Sequence, residues 1–336
     1  MKNYLFKLGK KGKKASIEIV KTKKKDKVLS DYCNLILKNQ LKIISENKKD
    51  LEKAKKQKLK ENLIKRLSID KKKLLQIINS IKMIIKFKDP VNITLNKWKR
   101  PSGLKIKKVT TSIGVIAVIY ESRPNVTSDV ASLCFKSGNP VILKGGSEAY
   151  HSNKFFISLF RKALIKNKVN KDYVQFIDYK SRKVVDFLLT KMANFIYVII
   201  PRGGKNLVKK IQDLSKIPVI GHLEGICHTY IDNNADLSMS KKITLNAKLR
   251  NTAICGATET ILIHQKSLKK FCNPILSNLE ENGCKIVGDN KIKKFYKGKI
   301  RIAKESDWSK EYLSSTVSVK SVKNINEAIS HINKYG

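Results

Sequence analysis

Arginine is scarce in a chain otherwise crowded with positive charge. Only 8 of the 71 basic residues are Arg, against 27 acidic residues and a formal net charge of +44. Specific recognition of phosphates and bases leans on the bidentate guanidinium. The shortage therefore argues against the sequence-specific nucleic-acid binder that charge alone would suggest. Lys, Asn and Ile are abundant together, a composition that AT-rich codons produce without selection for a polyanion partner. The positive field still raises on-rates for anionic metabolites and cofactors.

Other absences narrow the class further. The six cysteines at 33, 134, 227, 255, 272 and 284 form no CxxC pair and no regular framework, so neither disulfides nor a metal site is expected, and the thiols read as reduced and intracellular. The N-terminus, MKNYLFKLGKKGKK, lacks the apolar core of about 7 to 15 residues that marks a signal peptide. No window approaches the run of about 18 apolar residues that a membrane span needs, so the expectation is a soluble, cytoplasmic protein with no membrane partner. Neither GxGxxG nor a P-loop is present.

What is there suits a globular α/β protein of about two ordinary domains, with 41% hydrophobic residues over 336 positions. The Lys-rich residues 1–26 read as a loose or helical arm. Val28–Ile44 carries apolar residues at helical spacing, Leu59, Leu63 and Leu67 lie four apart, and Ile69–Ile85 starts with Ser68 as N-cap and Asp70 in its first turn. Asp89-Pro90 ends this layer, and Asn96–Thr110 reads as a hairpin about a Pro-Ser-Gly turn.

From Ser112 the pattern becomes βαβ. IGVIAVIYE is a continuous β-branched run of the kind buried on both faces of a parallel sheet. Helix 126–137 and strand Pro140–Lys144 follow it. Helix 148–166, strand Tyr173–Ile177, helix 181–192, strand Phe195–Ile200, helix 205–214 and strand Ile217–Ile220 continue the alternation. This predicts a doubly wound, nucleotide-binding type of domain, with ligands in the crevice beyond the carboxyl ends of the strands. Two of those ends are glycine pairs, Lys144-Gly145-Gly146-Ser147 and Arg202-Gly203-Gly204, where a phosphate can approach the backbone and a helix N-terminus. Each pair alone is more often structural punctuation, and two on one sheet edge are better evidence.

A second β/α unit begins with strand 227–232 and helix 235–248. It continues through NAKLRNTAICGATE and a buried strand at 260–264, helix 266–282, short strands near Ile286 and Ile300, strand 316–319 and helix 324–335. Cys255 would sit on the turn before its strand, where a reactive thiol is useful, although an isolated Cys is commonly just a small buried hydrophobe. The expected division is a helical layer and hairpin over 1–111, a doubly wound domain over 112–233 and a catalytic domain over 234–336.

The blocks IGVIAVIYESRPNVTSDVASLCFKSGNPVILKGGSEA (113–149), VIIPRGGKNLV (198–208), IPVIGHLEGICHTYID (217–232) and NAKLRNTAICGATETILIH (246–264) resemble the gamma-glutamyl phosphate reductases, a branch of the aldehyde dehydrogenase superfamily. The resemblance runs from about residue 28 to the last residue. It implies an aldehyde dehydrogenase-like fold and NADPH-dependent reduction of L-glutamyl 5-phosphate to the 5-semialdehyde in proline biosynthesis. It also implies Cys255 as nucleophile, Asn125 as oxyanion donor beside the Cys255 N–H, and Lys144, Gly145, Gly146, Ser147, Arg202, Gly203 and Gly204 at the cofactor. Read without the family, Asn125 is equally a helix cap. Ser147 and Arg202 are candidates for a 2′-phosphate, and Arg123 and Lys248 for the substrate's anionic groups. His222 and Glu224 would line the site without a catalytic role, and His228 is a packing residue rather than a base. A homo-oligomer is expected. The family pattern continues past Gly336 with a Gly-rich stretch that returns to the active site and strands used in subunit association. The expectation is thus a reductase lacking that part, and the alternative is a catalytically dead family member acting as scaffold or oligomer partner.

Overall fold

In the computed structural model, residues 1–336 are described except 19, 60, 122, 180, 182, 222–224 and 253, and the side chains of 61, 62, 65 and 205 are likewise not described. His222 and Glu224 therefore lie outside the described residues. The chain forms two compact units, 1–221 and 222–336. This division differs from the expected one at both ends of the middle segment.

In the first unit, a hairpin of β1 (Thr94–Lys99) and β2 (Lys105–Val109) precedes a parallel sheet. That sheet contains β3 (Ile116–Tyr120), β4 (Val141–Gly145), β5 (Val174–Phe176) and β6 (Val198–Arg202) in the order β5-β4-β3-β6. Its apolar run is continuous because both faces are covered. Ile116, Val118 and Tyr120 enter one core, with helices 22–38, 71–86, 124–136 and 150–166. The alternate residues Val115, Ala117 and Ile119 enter another, with helices 2–17, 183–191 and 205–214. The N-terminal residues are thus part of this unit's cores and not a separate domain. Helix Lys2–Ile17 lies close over the sheet through Gly12, where a Cβ would come 3.2 Å from Gln175 and 3.3 Å from Val115.

The boundary at 233 also moves. β7 (Cys227–Ile231) pairs in parallel with β8 (Thr258–His264), so the chain has entered the second sheet by residue 227. That sheet adds β9 (Lys285–Gly288), β10 (Ile300–Ile302) and β11 (Thr316–Val322) in the order β10-β9-β11-β8-β7. Helices Leu237–Leu249 and Leu268–Glu281 cover its principal core.

Local departures have local causes. The predicted helix 28–44 is two helices, Thr22–Lys38 and Gln40–Lys56, because Asn39 turns out of the helix and donates its side-chain amide to the Leu35 carbonyl. Phe195 and Ile196 bond back to the Met192 carbonyl, so β6 starts only at Val198. The predicted strand 217–220 reduces to a bridge between Ile199 and Val219, beside Pro218, which has no N–H to offer a ladder. Among the described residues, no helix is long and apolar enough to cross a membrane.

Candidate active site

The register of the first sheet aligns its carboxyl ends. Tyr120 of β3 pairs with Gly145 of β4 on one side and Arg202 of β6 on the other. Glu121 after β3, the segment 145–147 after β4 and the segment 202–204 after β6 consequently leave one edge side by side. The strand order reverses between β3 and β6, which makes this the switch point where open α/β sheets bind ligands.

At the β6 end, Gly204 precedes helix Lys205–Leu214, and its N–H donates to Glu121 Oε2 at 3.0 Å. The positive end of the helix therefore already holds an oxyanion from the end of β3. A Cβ on Gly203 would come 2.8 Å from that same carboxyl group, whereas Gly204 has space. Glu121 was invisible to sequence reasoning because nothing in its spacing from Gly204, 83 residues away, marks the contact.

At the β4 end the reason for glycine is packing. A Cβ on Gly145 would collide with the Asn153 amide and sit 3.2 Å from the Tyr120 ring. Asn153 is buried and held by Thr127, which also hydrogen-bonds Tyr120. Gly146 is extended and leads into a short 3-10 turn at Ser147–Ala149. Lys144 is buried, and its Nζ donates to the Gly145 carbonyl at 2.9 Å. Burial lowers its ammonium pKa from the ordinary value, partly offset by Glu148. Ser147 Oγ donates to Glu148 Oε1 at 3.4 Å, and Arg202 is exposed.

After β3, Pro124 opens helix Pro124–Lys136, with Arg123 as its N-cap residue. Asn125 is not the cap. Its amide donates one turn on, to Asp129 Oδ2 at 3.4 Å, and faces a cavity of about 230 Å³ lined by Lys73, Gln76, Ile77, Ser80, Asn125 and Asp129.

In the second unit, Cys255 lies in the loop between helix Leu237–Leu249 and β8, and it is exposed. Its carbonyl accepts a hydrogen bond from the Cys227 thiol, 3.2 Å away at the start of β7. The neighbouring Ala257 N–H closes a turn on the Ile254 carbonyl. The other five cysteines, all described, differ in kind. Cys33 and Cys284 are pushed up to about 11, and Cys134 and Cys272 to about 12, by burial. Cys227 is raised too, by burial first and then by Cys255, Glu259 and Glu311.

Contrary to the expectation that it meets the substrate's anionic groups, Lys248 is fully buried, and its Nζ lies 2.6 Å from Glu259 Oε2, itself 1% exposed. Glu259 Oε1 accepts the Leu313 N–H. A cation so enclosed is a structural tie between the helix before the Cys255 loop and the strand after it, and is not presented to substrate. His228 bonds the Ile226 carbonyl through Nδ1 and meets His331 edge to face, as a packing residue does. Among the described residues, no group of His, Cys, Asp and Glu is arranged to hold a metal ion.

No family model matches the chain. It is 42% identical over 321 residues to the gamma-glutamyl phosphate reductase of Bartonella quintana, covering 96% of this chain and 77% of that protein. Against the gamma-glutamyl phosphate reductase of Brucella suis the identity is 40% over 330 residues, covering 98% and 78%. The chain belongs to the gamma-glutamyl phosphate reductase family. The crystal structure of the Thermotoga maritima gamma-glutamyl phosphate reductase superposes with a TM-score of 0.93 at 34% identity, over 99% of this chain and 80% of that one. An acetylating aldehyde dehydrogenase from Geobacillus thermoglucosidasius, at 16% identity and a TM-score of 0.64, shares the fold. Family membership thus makes the chain an oxidoreductase of the aldehyde dehydrogenase type.

Proposed function

We propose that the chain reduces L-glutamyl 5-phosphate to L-glutamate 5-semialdehyde with NADPH, releasing phosphate in the proline-forming pathway, through a thioacyl intermediate on Cys255. The observation that carries this reading is the exposed Cys255 on the turn into β8 of a gamma-glutamyl phosphate reductase family chain whose remaining thiols are wholly or partly buried.

Cys255, as thiolate, attacks the acyl carbon, and the acyl–phosphate bond breaks. Phosphate is already a good leaving group and needs little acid assistance. Both tetrahedral states carry an oxyanion, for which the family resemblance offers Asn125 and the Cys255 N–H as donors; one such donor is typically worth about 2.7–4 kcal/mol. When bound, NADPH supplies the hydride that reduces the thioester. Collapse of the thiohemiacetal anion then breaks the carbon–sulfur bond, frees the aldehyde and returns the thiolate.

The turns suit a dinucleotide phosphate. The Gly204 N–H already binds an oxyanion, and the Gly145-Gly146 turn leaves the same sheet edge. In this reading Lys144, Gly145, Gly146, Ser147, Arg202, Gly203 and Gly204 hold the cofactor, Ser147 and Arg202 at its 2′-phosphate, and Arg123 contacts substrate. The intact thiol, amide and turns favour this reading over a scaffold that has lost its chemistry.

The test runs in reverse. NADP reduction by glutamate 5-semialdehyde should depend on phosphate and vanish in Cys255→Ala. Unchanged turnover in that variant sinks the assignment.

A further inference from the structure

The reaction concerns one end of the substrate, and the other end carries an ammonium and a carboxylate that need recognition. In the first unit, the cavity of about 230 Å³ beside Asn125 offers both signs of charge. Lys73, Gln76, Ile77 and Ser80 share one face of helix Lys71–Lys86, at i, i+3, i+4 and i+7, and Asn125 and Asp129 lie one turn apart on helix Pro124–Lys136. The volume is small for a drug-sized or dinucleotide ligand; it suits an amino-acid head.

Asp129 is the unusual member. Its Oδ2 accepts only the long bond from Asn125, and its Oδ1 is buried with no hydrogen-bond partner. No salt bridge reaches it among the described residues. Burial raises its carboxyl pKa, with Ser80 and Asn125 opposing the shift, although Ser80 makes no bond of standard geometry to Oδ1. A buried carboxylate oxygen left unpaired is costly, and a cation entering the cavity removes that cost. Lys73 does not play this part. Its Nζ is directed to the carbonyls of Arg66 and Ser68 at 2.8 and 2.7 Å. An ammonium has three donors, so Lys73 retains one for an anion.

We propose that this cavity binds the amino-acid end of the substrate, with Asp129 accepting its α-ammonium and Lys73 facing its α-carboxylate. Asp129 is then the residue that selects an amino-acid substrate over the same acid without its amino group. The proposal rests on the reductase reading for the substrate's identity, while its test does not require turnover.

The test is calorimetric titration of the full chain with L-glutamate and with glutarate, which lacks the amino group. Glutarate carries the larger negative charge, so the field of a +44 chain by itself favours glutarate. The proposal predicts the opposite order for the unaltered protein. In Asp129→Asn, L-glutamate affinity should fall roughly ten- to hundredfold, the range for a hydrogen bond to a charged group, with glutarate affinity unchanged. A merely structural role for Asp129 would weaken both ligands alike and overturns the assignment. So does tighter or equal binding of glutarate, or binding of neither ligand, by the unaltered chain, measurements that need no variant to fold. A preference for L-glutamate in a chain without reductase turnover upholds the cavity while the reaction assignment fails.

Discussion

Cys255 and Lys248 entered as neighbours in sequence and leave with opposite roles. Exposure separates Cys255 from the four thiols that burial holds at about 11 to 12. Its position on the turn into β8 was legible from small residues followed by an apolar run. In sequence Lys248 reads as a solvated or substrate-facing cation, because its partner, Glu259, lies beyond the loop on the strand and a contact across a loop leaves no periodic signal. Removing one member of a buried ion pair leaves an uncompensated charge, so Lys248→Met should destabilise the second unit by about 3–5 kcal/mol in urea unfolding. Adding Glu259→Leu should restore most of that loss. A Lys248→Met variant of normal stability but with sharply raised KM would return Lys248 to the substrate. Asp129 gave no signal in sequence, since an acidic residue one turn into a helix is ordinarily solvated.

At the scale of elements, alternation and β-branched runs located most strands of both sheets, and glycine pairs marked the turns that the register brings to one edge. The pairs themselves are not equivalent, which the sequence could not disclose. Gly145 is enclosed by Asn153 and Tyr120, whose hydrogen bonds to Thr127 restrict any adjustment. Gly204 has φ −69, and a Cβ added there would meet no atom closer than 3.9 Å. Gly145→Ala should therefore cost roughly 1–3 kcal/mol, as overpacking does, whereas Gly204→Ala should stay within about 0.5 kcal/mol. Comparing urea midpoints of the two variants decides it, and equal losses contradict this account of the β4 turn. The bridge at Val219 and the break at Asn39 show where propensity yields to particular groups, a proline without a donor and an amide bonded back to its own helix.

Across the whole molecule, the α/β class and the reductase resemblance were legible, and the partition was not. Domain edges depend on which sheet β7 joins and on how the N-terminal helices cover β3, both long-range facts. The second unit also carries a pH dependence. His331 is buried against His228, Trp308 and Tyr335, with Lys320, Lys334 and Glu305 as the charges acting on it. Its pKa is lowered to about 4, chiefly by burial, and that of His228 is lowered as well. Below the ordinary value near 6.5 the unfolded chain binds protons that the folded chain refuses. Stability is thus fully present above that pH and declines toward about pH 4, on the order of 2–3 kcal/mol for His331. A His331→Leu variant should flatten this slope in urea unfolding; an unaltered slope would assign the dependence elsewhere.

Omission of phosphate isolates covalent catalysis at Cys255. With glutamate 5-semialdehyde and NADP but no phosphate, the thioacyl enzyme forms and lacks its acceptor. Intact-mass measurement, quenched within the first turnover, should find one glutamyl group on the chain, mapped to the peptide containing Cys255 and discharged by added phosphate. A chain that turns over with phosphate yet shows no such adduct, or carries it on another residue, contradicts the account.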